Sequence, residues 1–382
     1  MLNLIYLDYN STTPVAPEVL EKMLPYFSEK FGNASSSTHS YGWVAKSAVE
    51  TAQQQVAGLI GCEAQQLLFT SGSTEAINLA IKGLWALYSP RKGKHIITCK
   101  TEHKAVLDVC EFLEKKAGAR VTYLDVDANG SIDIEALKAA LTDETILVSI
   151  MLANNETGVI QPMRAISNIV HDAGSILMSD ATQAIGKIPV NVDELGIDLL
   201  CLSGHKFYGP KGVGALFFRR RSPRVALEAL IHGGGHQRNL RSGTLNVAGI
   251  VGLGAAAEFA QNNLENFQSN TLDLRDFLEQ QFTEHFQVHI NGKEALRLAN
   301  TSNISFSGKA ASRIIEVIKG SIAVSTGSAC TSEVMEPSHV LKAMGLSDAD
   351  SYASIRFSLG WNTTKADILQ VFDVFKARLN DL

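Results

Sequence analysis

Between about residues 45 and 220, short apolar runs alternate with stretches whose apolar residues recur at helical spacing. This alternation restricts the fold more than any other feature of the chain. Ala45 to Leu59 reads as an amphipathic helix. Gln66–Thr70 then reads as a strand, Thr74–Leu87 as a helix, His95–Cys99 as a strand and Lys104–Ala117 as a helix. Strands are predicted over Val121–Val126, Thr145–Ala153 and Ser175–Ser179, with helices near Asp133–Leu141 and Met163–Ala173 between them. Such a pattern specifies an open, mostly parallel α/β sheet with helices on both faces. Ligands on such sheets lie outside the carboxyl ends of the strands.

Beyond residue 258 the character changes. A long charged helix is predicted to about Phe286, followed by strands at Val288–Ile290, Asn303–Ser307 and Ile355–Leu359. The expected organisation is a large α/β domain over 14–258 and a smaller α+β domain formed by 1–13 and 259–382.

The 382 residues, 45% hydrophobic and 19% charged, suffice for a large core. A net charge of −5 argues against a dominant nucleic-acid surface. No apolar run reaches membrane length, and the longest weakly polar stretch, Val247–Ala257, runs into Glu258. The N-terminus lacks a basic leader, and the five cysteines, Cys62, Cys99, Cys110, Cys201 and Cys330, form no C-x-x-C. A reducing cytoplasm is therefore the expected setting, with Cys99 and Cys201 as buried fillers and no metal site. Arg219–Arg221 with Arg224 reads as a solvated basic face.

Two strand ends carry the chemistry. Ser175–Ser179 leads into Asp180-Ala-Thr-Gln183, and Asp198–Leu202 leads into Ser203-Gly-His-Lys206. A lysine against an apolar strand is held toward its neutral form, and a neutral amine condenses with an aldehyde to give a Schiff base. The aldehyde that proteins hold this way, with an acid opposite its ring nitrogen, is pyridoxal 5'-phosphate. Lys206 is thus assigned to the aldehyde and Asp180 to the pyridinium. Thr70-Ser-Gly-Ser-Thr-Glu75 joins a strand to a helix, and a helix N-terminus with added hydroxyls binds phosphate. Taken alone, that segment is ordinary N-capping; beside Lys206 it supplies a phosphate cup. Gln183 and Asn155 are candidate donors to the cofactor's phenolic oxygen. His103 is a candidate for stacking on its ring and for moving protons.

These residues together resemble the fold-type I pyridoxal-phosphate enzymes, and among them the cysteine desulfurase family of NifS/IscS type. The resemblance runs over nearly the whole chain: Tyr6–Pro14, Phe31-Gly-Asn33, Thr70–Glu75, Ser203–Gly212, His232–His236, Arg241–Thr244 and Ser325–Ser332. It implies phosphate contacts from Ser73, Thr74, Ser203 and His205. It also implies that Thr244 of one subunit reaches the phosphate of the other, hence a homodimer. Arg356, assisted by Asn33, matches the binder of the substrate carboxylate. The Cys330 loop is small and polar, as expected of an exposed nucleophile. The longer arrangement after it resembles group I members.

The implied reaction converts L-cysteine to L-alanine. Lys206 takes the Cα proton, the Cys330 thiolate attacks the substrate sulfur, and His103 serves proton traffic. Cys330 becomes a persulfide that is passed to an acceptor protein. Housekeeping iron–sulfur members carry a C-terminal tail that docks their scaffold. This sequence reaches Arg378–Leu382 near the end of its last helix, so the expected acceptors extend from iron–sulfur cluster assembly to tRNA thiolation and DNA phosphorothioate modification. Competing readings are a selenocysteine lyase or another pyridoxal-phosphate lyase or aminotransferase, and a non-catalytic sulfur-relay scaffold. An aminotransferase does not need Cys330 and releases a keto acid.

Overall fold

A computed structural model describes residues 4–326 and 336–379; Cys330 lies outside the described residues. The first elements are β1 (Ile5–Tyr6), α1 (Pro17–Met23), α2 (Pro25–Ser28) and α3 (Ser40–Ile60). The alternating region follows as β2 (Leu67–Thr70), α4 (Ser73–Tyr88), β3 (His95–Cys99), α5 (Lys104–Ala117), β4 (Arg120–Leu124), α6 (Ile134–Ala140) and β5 (Thr145–Ser149). It continues with α7 (Met163–Asp172), β6 (Ile176–Asp180), α8 (Val192–Leu195), β7 (Leu199–Ser203) and β8 (Gly214–Phe218). The rest comprises α9 (Val247–His285), β9 (Val288–Ile290), β10 (Thr301–Phe306), α10 (Ala311–Ile318), β11 (Ile322–Ala323), α11 (His339–Ala343), α12 (Asp348–Tyr352), β12 (Ser354–Ser358) and α13 (Lys365–Leu379).

Among the described residues, the main sheet has seven strands in the order β2-β8-β7-β6-β5-β3-β4. Strands β3 to β7 pair in parallel, whereas β8 is antiparallel to both β2 and β7. The central strands are buried throughout, as an apolar run covered on both faces requires. Separate clusters cover the two faces, one including Val148, Leu200 and Phe217, the other Ile96, Leu147 and Leu216.

The later strands form a second sheet, β12-β10-β9, all antiparallel. Its cluster is built on Phe282, Phe306, Phe357 and Phe375 and takes in Leu7 from the N-terminal segment. The long helix was expected to begin after residue 258, but α9 starts at Val247. Its Gly/Ala-rich first turns let it lie close against α1 and α3. A Cβ on Gly254 would come within 2.5 Å of Ala52 Cα, and one on Gly252 within 2.5 Å of Met23 Sδ. No helix among the described residues is long and apolar enough to cross a membrane.

In the basic segment after β8, Arg220, Arg221 and Arg224 are exposed as a solvated face requires, and only Arg219 departs from that reading. The Arg219 side chain is only 13% exposed and bonds Asp193 at 2.6 Å and the fully buried Asp198 at 3.1 Å. Asp198 also accepts from the Leu177 N–H and bonds His171. Arg219 thus ties β8 to β6 and α8, while Arg221 remains exposed.

Candidate active site

The carboxyl ends of β2, β3, β5, β6 and β7 open on one cleft of about 640 Å³. Ten residues singled out in the sequence line it: Ser73, Thr74, His103, Asn155, Asp180, Gln183, Ser203, His205, Lys206 and Arg356. They converge because each ends or follows a strand of the main sheet, except Arg356, which lies within β12.

Lys206 closes a single 3-10 turn after β7. Its Nζ donates to the carbonyls of Asn10 and Ser11, each at 2.7 Å. Burial pushes its amine down to about 8, the Arg356 cation adding to the effect against the opposing pull of Asp180 and Asp8. About a tenth of the amine is therefore uncharged at pH 7, far more than for an ordinary lysine. Asp180, the last residue of β6, is buried and accepts from both the N–H and the hydroxyl of Thr182.

At the other end of the cleft, Gly72 precedes α4 with φ +149°, a conformation that suits glycine. The strand β8 also comes close there: a Cβ on Gly214 would lie 2.8 Å from Gly72 Cα. The first turn of α4 presents the Ser73 and Thr74 hydroxyls together with unpaired N–H groups. Ser73 Oγ lies 2.5 Å from Thr182 Oγ1. Glu75 anchors this turn by accepting from the Ser71 N–H at 2.7 Å and from Arg241 Nε at 2.8 Å. Burial alone would raise its carboxyl, but the Arg241 and Ser71 donors outweigh burial and hold it below the usual range. His205 bonds Thr12 through Nδ1 at 3.2 Å; burial, then the Lys206 and Lys211 cations, push its imidazole down to about 4. It is neutral at physiological pH.

Arg356 donates through Nη2 to Asp8 and to Ser11 Oγ, both at 2.7 Å, and through Nη1 to the Asn155 carbonyl at 3.0 Å. Its buried Nε has no partner among the described residues. His103 is the exposed N-cap of α5, its Nδ1 accepting from the Ala105 N–H at 3.1 Å. That bond assigns the proton of the neutral ring to Nε2. Gln183 donates to the Asn10 carbonyl at 2.9 Å.

Two expected residues are not on this wall. Asn33 is exposed, its Oδ1 accepting from the Ser35 N–H. Thr244 is exposed and outside the lining of the chain's own cleft. Conversely, Asn10, Ser11, Thr182 and Met151 line the cleft without having been assigned roles. The signal for the first two was the Tyr6–Pro14 motif, and for Thr182 its place between Asp180 and Gln183. Nothing local marked Met151. Adjacent to Asn155, the buried Glu156 bonds Ser338 at 2.5 Å, and burial raises its carboxyl to about 7.

The donor set fits pyridoxal phosphate. A partly neutral amine suits an aldehyde, a buried carboxylate suits a pyridinium, and hydroxyls on a helix N-terminus suit a phosphate.

The class-V aminotransferase family matches residues 5–371. The chain is 48% identical over 378 residues to cysteine desulfurase IscS of Methylobacillus flagellatus, covering 99% of this chain and 93% of that protein. A solved structure described as a NifS-like protein matches with TM-score 0.92 at 37% identity, covering 99% of this chain and 100% of the other. The structure of SspA in complex with cysteine matches with TM-score 0.83 at 37% identity, covering 93% and 98% of the two chains. With its cleft built on these strand ends, the chain belongs to the class-V aminotransferase family and, within it, to the pyridoxal-phosphate-dependent cysteine desulfurases.

Proposed function

We propose that this chain removes sulfur from free L-cysteine, releases L-alanine, and carries the sulfur on Cys330 to an acceptor protein. The observation that carries the reading is the juxtaposition of Lys206, with its amine lowered to about 8, and Asp180, Ser73 and Arg356 in one cleft. Pyridoxal phosphate, when bound, supplies an electron sink for the charge left at Cα.

The chain's own residues do the rest. Ser73, Thr74, Ser203 and His205 hold the phosphate, with Thr244 contributed by a second copy. Asp180, kept in place by Thr182, holds the pyridinium proton. Gln183 and Asn155 supply polar contacts on the ring's flank. Arg356 takes the substrate carboxylate; its Nε, without a partner among the described residues, is a donor suited to an anion. Asn33 assists that binding. Lys206 accepts the Cα proton, and His103 Nε2 moves protons at the cleft mouth. The Cys330 thiolate attacks the substrate sulfur, the C–S bond breaks with its electron pair left on carbon, and a proton completes alanine. The balance is cysteine plus a Cys330 thiol giving alanine plus a Cys330 persulfide.

The working unit is a homodimer in the cytoplasm. Exposed Phe27, Phe31, Tyr41 and Trp43 on and near α2 and α3 support a second copy there. The same reading divides the chain into a large domain over 14–258 and a small one of 1–13 and 259–382; one large cluster lies wholly in each, and a third, with Tyr9, Ala260, Phe267 and Leu298, joins them. Acceptors in iron–sulfur assembly, tRNA thiolation and DNA phosphorothioation all fit a protein-bound persulfide.

Cys330→Ala tests the assignment. Alanine formation from cysteine is expected to disappear while the bound-cofactor absorbance stays. Normal turnover in that variant, or a keto acid in place of alanine from the parent, removes the reading.

A further inference from the structure

Behind the cleft wall lies a second lysine that the reaction above does not use. Lys187 follows Gln183 in the same turn and is 4% exposed. Its Nζ donates to Asn10 Oδ1 at 3.0 Å and to Gln183 Oε1 at 2.5 Å. Both partners are amide oxygens rather than carboxylates. A buried ammonium without a counter-charge is costly. Burial, then the Lys206 and Arg356 cations, holds Lys187 well below the ordinary lysine range. An uncharged amine has two N–H groups, and two amide oxygens take them.

Asn10 also meets the reactive amine, through its backbone carbonyl rather than its side-chain amide. The Asn10 carbonyl accepts from Lys206 Nζ at 2.7 Å and from Gln183 Nε2 at 2.9 Å. Asn10 Nδ2 donates to Thr301 Oγ1 at 2.9 Å and to the Asn155 carbonyl at 3.2 Å. An amide whose oxygen is engaged offers only its NH₂ elsewhere, so the donor at Lys187, joined at Asn10 Oδ1 by Asn300 Nδ2 at 3.3 Å, reinforces at each side chain the flip that the Asn155 and Asn10 carbonyls require.

We propose that Lys187 is a positioning residue whose two N–H bonds lock the Asn10 and Gln183 side chains, holding the Asn10 carbonyl against Lys206 and Gln183 in one orientation on the cleft wall. The proposal rests on Lys206 being the cofactor lysine.

The test titrates the cofactor-free full chain with pyridoxal 5'-phosphate and reads Kd from absorbance. Lys187→Met is expected to raise Kd about tenfold in the parent but less than about threefold in a Gln183→Ala background, because one amide it orients is then gone. Lys187→Gln, which keeps two uncharged N–H donors, stays within about threefold of the parent. Equal costs of Lys187→Met in both backgrounds, or a Lys187→Gln loss as large as that of Lys187→Met, overturn the proposal. Should Lys187→Met lack a cooperative thermal transition, Lys187→Gln decides alone: parent-like affinity supports the proposal and a tenfold loss overturns it. A parent that fails to bind overturns the cofactor reading as well; a parent that binds beside unaffected variants overturns only the role of Lys187.

Discussion

The seven-stranded and three-stranded sheets deliver side chains to the cleft in opposite ways. The seven-stranded sheet presents its contributions at strand ends: Ser73 after β2, His103 after β3, Asn155 after β5, Asp180 at the end of β6 and Lys206 after β7. The three-stranded sheet presents Arg356 from inside β12, opposite Asn303, with the guanidinium held by Asp8. A strand end leaves the backbone free to turn toward a ligand, and the rigid sheet fixes only where the turn begins. A residue inside a ladder has no such freedom, because a register slip would carry it to the other face. On the proposed reading this is a division of labour, in which turns would grip the cofactor and a side chain locked in place would meet the substrate's charge.

Four measurements break or sharpen that contrast. Lys206→Ala strikes the turn-borne set at its centre. Turnover is expected to fall at least about 10³-fold, with the protein emerging from gel filtration without the parent's cofactor absorbance. A variant that keeps that absorbance removes Lys206 from its role. Arg219→Ala leaves the buried Asp198 without its main cation. A loss of about 3 kcal/mol in urea unfolding is expected, with cofactor affinity unchanged in the folded protein. Arg356→Lys keeps the charge but loses the planar fork. We expect kcat/KM for cysteine to drop about 30-fold, carried by KM, at unchanged affinity for pyridoxal phosphate. Loss of cofactor in this variant would erase the distinction between the two sheets.

The smallest effect concerns pH. The Lys206 amine is lowered to about 8, and the neutral amine is the form that reacts with an aldehyde. Association of pyridoxal phosphate with the cofactor-free protein is therefore expected to quicken as pH rises through 8 and to level off above it, by about tenfold between pH 7 and 9. Stopped-flow absorbance measures this; a rate still climbing above pH 10 would mean that the amine has its ordinary proton affinity.

Much of this site was legible in the chain itself because its signals are local. A run of apolar residues that ends in a polar cluster marks a strand end, and β3 and α5 have the bounds their patterns indicate. The proposed phosphate cup is equally local, since glycine and hydroxyls at a helix start act through the adjoining backbone. Asp180 and Lys206 were paired by residue type and by their shared position after strands, and β6 and β7 are neighbours in the sheet.

What tertiary structure alone decided is which groups stand behind those residues. Arg219 looked like a member of a solvated cluster, yet folding places Asp193 and Asp198 against it, and α9 begins earlier than its charge pattern indicated because small residues allow close helix packing. Asn10 and Lys187 carry no catalytic signature, and their hydrogen bonds span 177 positions of sequence. Burial, charge neighbours and hydrogen-bond partners are sums over everything that comes near in space. A linear pattern can therefore announce a reactive side chain, while the proton affinity and orientation of that side chain are decided only when distant segments close around it.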